Sequence, residues 1–240
     1  MKKGSVIIVG AGPGLGSSLA RKFAIEGHHV FVARRERNAS ALVELCNKIN
    51  SSGGNATGIP TDARDEDQVI NLFAKVSEYG QIDCVIFNIG ANVFFPIKDT
   101  TARVFKKVWE MATLSGFLVG REAAKHMKNK GTIIFTGATA SVRGSSGFSA
   151  FSSAKFGLRA LAQSLARELG PQGIHVVHTI IDGAIDHPWI KENFPDTYKL
   201  KEVDGILNPD HIAETYYNLH LQEKSVWTQE IDLRPYMEKF

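Results

Sequence analysis

Eight residues, Val9-Gly10-Ala11-Gly12-Pro13-Gly14-Leu15-Gly16, constrain this chain more than any others. They follow an apolar run, Ser5–Val9, and open the amphipathic segment Gly14–Glu26, with Leu15, Leu19, Phe23 and Ala24 on one side. Glycines permit the tight turn and let the backbone approach a bound anion closely. The helix start offers unpaired N–H groups and a partial positive charge to that anion. A glycine pattern alone is weak evidence; a strand before it and a helix after it make it specific. The segment reads as a loop that holds the pyrophosphate of a dinucleotide, with Gly10, Gly14, Leu15 and Gly16 as contacts. A purely structural glycine turn is the alternative. Pro13 removes one donor and leaves others.

Short apolar runs then alternate with amphipathic segments along the chain. The runs are His29–Ala33, Ala56–Ile59, Asp83–Phe87, Thr132–Thr136 and Ile174–Ile181, with Gln229–Pro235 as a final edge strand. The helical segments are Ala39–Asn50, Asp65–Glu78, Ala102–Lys128 (one long helix or two abutting ones) and Ser149–Leu169. That alternation predicts an α/β fold, a doubly wound parallel sheet of Rossmann type with helices on both faces. A chain of 240 residues suits one dinucleotide-binding domain, 1–240. The rhythm breaks between Gly183 and about Asp210, where Pro188, Pro195 and Pro209 and several aromatics occur. An irregular substrate loop over about 183–210, often a lid, is expected there; a merely solvated excursion is the other reading.

Composition excludes several classes. The formal net charge of +3 is spread without a basic block, so no nucleic-acid partner is expected. Two isolated cysteines, Cys46 and Cys84, make neither a disulfide framework nor a metal site. No apolar stretch approaches the ~20 residues of a membrane helix. The first residues run directly into a strand pattern with no small-residue cleavage site, so no signal peptide is expected. A cytoplasmic protein with no membrane partner is the expectation.

The second run ends Val32-Ala33-Arg34-Arg35-Glu36-Arg37. A site for NAD usually carries an acidic residue at this strand tip, for the ribose 2′-hydroxyl. Here the tip carries Arg34, whose guanidinium suits a 2′-phosphate. NADP is therefore the expected cofactor. Arg35 is a second candidate contact, and Arg35 and Arg37 also read as a solvated charge cluster.

From Ser5 to Ile185 the chain resembles the single-domain short-chain dehydrogenases/reductases. Gly10, Gly14 and Gly16 match that family's glycine pattern, with Val9 in place of a threonine. Asp62-Ala63 matches the adenine-contacting motif after the third strand. Phe87-Asn88-Ile89-Gly90 matches the N-N-A-G motif, with its first asparagine and its alanine changed. Phe151-Ser152-Ser153-Ala154-Lys155 occupies the Y-x-x-x-K position, and Asp182-Gly183-Ala184-Ile185 the loop beside the nicotinamide. The resemblance implies hydride transfer between a nicotinamide and a small carbonyl or alcohol. It adds Asp62, Ala63, Asn88, Gly90, Lys155, Gly183 and Ile185 to the cofactor contacts. It also implies a homodimer or homotetramer through the helices 102–128 and 149–169.

Of the family's catalytic set only Lys155 is present. The tyrosine position holds Phe151, the serine position Ala138 and the asparagine position Thr113. With a one-residue shift, Thr139 or Ser115 recovers part of a role. His187, just past the Gly183 loop, is a candidate proton carrier, because histidine titrates near neutral pH. Three readings stay open. One is an NADP-dependent oxidoreductase acting on an apolar carbonyl or enone with a non-standard proton source. The second is a catalytically weak NADP-binding sensor or regulator. The third is a structural partner subunit.

Overall fold

The computed structural model describes residues 3–239. Its strands and helices run β1 (Ser5–Val9), α1 (Leu15–Ile25), β2 (His29–Arg34), α2 (Ala39–Ser51), β3 (Asn55–Pro60), α3 (Glu66–Ser77) and β4 (Ile82–Phe87). The second half continues α4 (Ala102–Trp109), α5 (Ser115–His126), β5 (Gly131–Thr136), α6 (Ser149–Leu169), β6 (Ile174–Ile181), α7 (Pro188–Asn193), α8 (Pro195–Lys199), α9 (Pro209–His220) and β7 (Glu230–Leu233). The strands form one seven-stranded sheet in the order β3-β2-β1-β4-β5-β6-β7, and every pairing is parallel.

The continuous apolar runs follow from that geometry. A parallel sheet is covered on both faces, so both sides of each central strand must be apolar. All five residues of β1 and all eight of β6 are buried. On one face Leu19 and Phe23 of α1 pack with Tyr216 and Leu219 of α9. On the other, Leu72 and Phe73 of α3 pack with Val119 of α5 and Leu158 of α6. The Tyr216 hydroxyl, fully buried, is satisfied by the hydroxyls of Thr136 and Thr179. Cys84 lies in the core, where burial pushes its thiol well up.

The structure selects one of the two readings of 102–128 and changes the expectation for the segment after Gly183. The stretch 102–128 is two helices joined by a π turn, Glu110–Leu114, a distortion frequent at functional sites. The stretch after Gly183 is not irregular. Pro188, Pro195 and Pro209 each stand at the start of a helix. Proline suits the first helical position, where its missing N–H would be unpaired anyway. The prolines therefore start α7, α8 and α9 rather than interrupt the chain. Helix α9, capped by the Asn208 side chain on the Asp210 N–H, was not anticipated.

Candidate active site at the carboxyl edge of the sheet

The strand order reverses between β1 and β4, and their loops part there to open a crevice, the position at which doubly wound sheets bind ligands. The two loops are tied together. Asn88 donates its backbone N–H to Val9 O at 2.8 Å and its side-chain amide to Gly10 O at 3.2 Å. A Cβ on Gly10, whose φ is +97°, would lie 2.4 Å from Asn88 O. A Cβ on Gly16 would lie 2.6 Å from Gly10 O. Both positions need glycine for close backbone approach. Helix α1 begins after Gly14 with no side-chain cap. Ser17 N–H is taken by Gly12 O and Ser18 N–H by Gly14 O, which leaves the N–H groups of Leu15 and Gly16 as the ones its start would offer an anion. Leu15 turns inward to the core.

The crevice holds about 200 Å³. Gly10, Arg34, Arg35, Asp62, Asn88 and Gly90 line it, and Ala63 stands beside them. Arg34 crosses the loop: a Cβ on Gly12 would sit 3.8 Å from its Cζ. Burial lowers the pKa of the Arg34 guanidinium, and the neighbouring Arg35 and Arg37 lower it further. Among the described residues no carboxylate forms an ion pair with Arg34 or Arg35. Asp62 is claimed by Arg64, which holds its carboxyl below the usual range. The result is a concentrated positive rim over the glycine loop. These groups fit a phosphorylated dinucleotide. Arg64, Asn38, Thr61 and Met111 also line the crevice, and the sequence reading missed them. Nothing in their local sequence marks them; the loops after β2 and β3 and the π turn converge only in the fold.

Behind the crevice wall, α6 carries Lys155 and Phe151, both buried. The Lys155 ammonium is buried and donates to Ile89 O at 3.1 Å and Thr136 O at 2.9 Å. Burial pushes its pKa down to about 8. Phe151 packs with Ala91, Ala112 and Ala140, and Ala138 lies beside that cluster. The Thr113 hydroxyl, in the π turn, donates to Ala154 O at 2.7 Å, and Gly157 leaves the room for it. Ser115 donates to Glu110 O at 2.7 Å. The Thr139 hydroxyl donates to Asp182, whose other oxygen is 3.2 Å from Arg234 Nη1.

Gly183, with φ +132°, follows Asp182 and is covered by Pro235 of the chain's end: a Cβ there would sit 2.9 Å from Pro235 Cδ. Ile185 pairs with Leu207 at the base of the segment that carries α7 and α8, and packs on the core. Within that segment Trp189 and Phe194 are half exposed, at 50% and 49%, with ring centroids 5.4 Å apart. His187 lies at the start of α7, against the glycine loop. Its Nδ1 accepts the Trp189 N–H at 2.9 Å, capping α7, and a Cβ on Gly14 would meet its Cδ2 at 2.7 Å. The ring lies against the glycine loop, because the cap turns it toward α1.

The comparisons with known proteins agree with this architecture. Residues 4–197 match the family model of the short chain dehydrogenases. Versicolorin reductase of Emericella nidulans is 32% identical over 181 residues, covering 75% of this chain and 68% of that protein. Elsinochrome reductase 1 of Elsinoe fawcettii is 30% identical over 79% of this chain and 73% of that one. A short-chain dehydrogenase from Rhodopseudomonas palustris, solved by crystallography, is 46% identical, with a TM-score of 0.84 over 97% of this chain and 99% of that one.

A parallel sheet with a glycine-loop crevice at its switch point defines a nicotinamide-binding oxidoreductase fold. The chain belongs to the short-chain dehydrogenase family, whose members bind a nicotinamide cofactor and act on small-molecule substrates. No helix among the described residues is long and apolar enough to cross a membrane.

Proposed function

We propose that this chain is an NADP(H)-dependent oxidoreductase that transfers hydride to a small apolar carbonyl or enone and takes its proton from a non-standard source. The observation that carries the cofactor preference is Arg34, lying across Gly12 with no carboxylate paired to it among the described residues. Bound NADPH supplies the hydride. The chain's own residues hold it: Gly10, Gly14, Leu15 and Gly16 at the pyrophosphate, Arg34 and Arg35 at the 2′-phosphate, Asp62 and Ala63 at the adenine. Asn88, Gly90, Lys155, Gly183 and Ile185 hold the nicotinamide half. The reductases among its relatives favour the reductive direction.

The half-exposed faces of α4, α5 and α6 support a homodimer or homotetramer: Phe105, Trp109, Phe117 and Phe156 are each about 40% exposed. A cytoplasmic location goes with this reading.

The test is a pair of titrations. Native protein binds NADPH at least tenfold more tightly than NADH. Arg34→Ala weakens NADPH by about 10–100-fold, the scale of a charge-assisted pair lost. Equal affinity for the two cofactors, or an unchanged NADPH affinity in the variant, overturns the reading. A second reading, an NADP-binding sensor with little turnover, is favoured by Phe151 and Ala138, which carry no proton. Tight NADPH binding without oxidation by any ketone, quinone or enone would select it.

A further inference from the structure

Several hydroxyl groups near the crevice share a pattern that the family resemblance does not predict: they donate their hydrogens to acceptors within the protein. Thr113 donates to Ala154 O, Ser115 to Glu110 O, and Thr139 to the Asp182 carboxylate. Two hydroxyls of α6 do the same, while the buried Ser149 Oγ has no hydrogen-bond partner among the described residues. Ser152 donates to Arg143 O and Ser153 to Ser149 O. Asp182 also lies against Arg234. His187 is turned to the glycine loop. Phe151 and Ala138 have no proton to give. The buried cation of α6, Lys155, donates to two backbone carbonyls and sits 5.9 Å from the centre of the Phe151 ring.

Such a site discriminates among hydride acceptors. Hydride added to an isolated ketone makes an alkoxide, about as basic as hydroxide, whose conjugate acid (water) has a pKa of roughly 15.7. That anion needs an acid in the transition state. Hydride added to a quinone makes a hydroquinone monoanion, a phenolate whose conjugate acid titrates near 10. That anion forms without an acid and is met by the positive charge of Lys155. The walls agree with a flat ring. Phe94, 62% exposed at the rim, stands T-shaped to Phe148 at 5.2 Å, and Phe148 stands 6.5 Å from Phe151. Three aromatic rings thus lead from solvent to the Lys155 cation, a path suited to edge or stacking contacts with a planar π system.

We infer that the substrate is a quinone, reduced by hydride transfer with no proton supplied by the protein. The inference rests on the NADP(H) oxidoreductase reading above. One hydride, with its two electrons, leaves the reduced cofactor, and NADPH is oxidised to NADP⁺. The transferred hydrogen forms a covalent bond to one carbonyl oxygen, that C=O π bond opens, the ring becomes aromatic, and the second oxygen carries the charge of the hydroquinone monoanion. Water gives the final proton in solution.

The experiment uses the full chain with menadione as the quinone and 1-tetralone as a two-ring ketone. NADPH and menadione binding are each measured by calorimetry before turnover is followed. The expected result is binding of both and menadione-dependent NADPH oxidation at least about 100-fold faster than with 1-tetralone, the low end of what general acid catalysis supplies. The double variant Phe151→Tyr/Ala138→Ser, which adds a phenol beside Lys155, lowers that quinone-to-ketone ratio at least tenfold by raising ketone turnover. Phe151→Tyr alone, the smaller change, moves the ratio in the same direction should the double variant not fold. NADPH binding without menadione turnover overturns this inference alone. So does 1-tetralone turnover within tenfold of menadione in the native protein. Failure to bind NADPH overturns the reading beneath it.

Discussion

Lys155 Nζ lies behind the Phe151 ring, 5.9 Å from its centre, with its hydrogen bonds directed to Ile89 O and Thr136 O rather than to a side chain. A buried ammonium without a carboxylate partner is costly, and burial pushes its pKa from 10.5 to about 8. Between these two values the unfolded chain binds more protons than the folded one, so stability rises with pH across that window. Below pH 8 both states are charged and the full penalty remains. From pH 8 to 10.5 the native protein gains about 3 kcal/mol relative to Lys155→Met, at ~1.4 kcal/mol per pKa unit. Urea unfolding of both proteins across that range checks it; a constant difference rules it out.

At the opposite edge of the sheet, His220 packs its ring against Phe23 and His28, with Nδ1 3.0 Å from Thr132 Oγ1. Burial pushes its pKa down to about 4, from 6.5. A histidine held neutral in the fold stabilises it above pH 6.5, and that contribution is lost as pH falls toward 4. Buried His178 follows the same sign, also to about 4. The native protein therefore loses stability steeply between pH 6.5 and 4. Replacing His220 by Phe removes about 2–3 kcal/mol of that acid dependence. Thermal unfolding midpoints at several pH values read it directly, and parallel curves for the two proteins would contradict it.

Gly16→Ala places a methyl group 2.6 Å from Gly10 O and 2.8 Å from Ala11 Cα. Backbone cannot yield there without opening the loop. The expected cost is about 1–3 kcal/mol of stability, as for an overpacked interior, with NADPH affinity down at least tenfold. Calorimetry and urea unfolding on one preparation separate the two effects. Full NADPH affinity in a folded variant would mean that the loop is not the pyrophosphate site.

His187→Ala removes the side-chain cap of α7 and the contact with Gly14. A lost cap typically costs ~1 kcal/mol, so the segment over the glycine loop loosens and NADPH dissociates severalfold faster. The pH profile of turnover keeps its shape, because the ring is engaged with backbone at the loop. Stopped-flow release and a pH–rate series test both halves; loss of an inflection near neutral pH would return His187 to proton transfer.

How far the sequence reached differs between the fold and the site. The strands were legible because a sheet buried on both faces favours unbroken apolar runs, as in Val6-Ile7-Ile8-Val9. Helix α6 was legible over its full length, Ser149–Leu169. The segment after Gly183 misled, because proline at a helix start and proline in a loop look the same in one dimension. Arg64, Asn38 and Thr61 escaped notice for another reason. They belong to separate loops that meet only at the carboxyl edge.

By itself the sequence determined the α/β sheet, the glycine turn after β1 and the residue types along α6. Those are local matters of periodicity, backbone freedom and side-chain chemistry. The tertiary structure alone decided where each proton points. That Thr113 faces Ala154 O, that Thr139 faces Asp182, and that His187 faces Gly14 depends on contacts across 41, 43 and 173 positions of chain, respectively. A hydrogen bond has a direction as well as a donor, and only the packed fold supplies the direction.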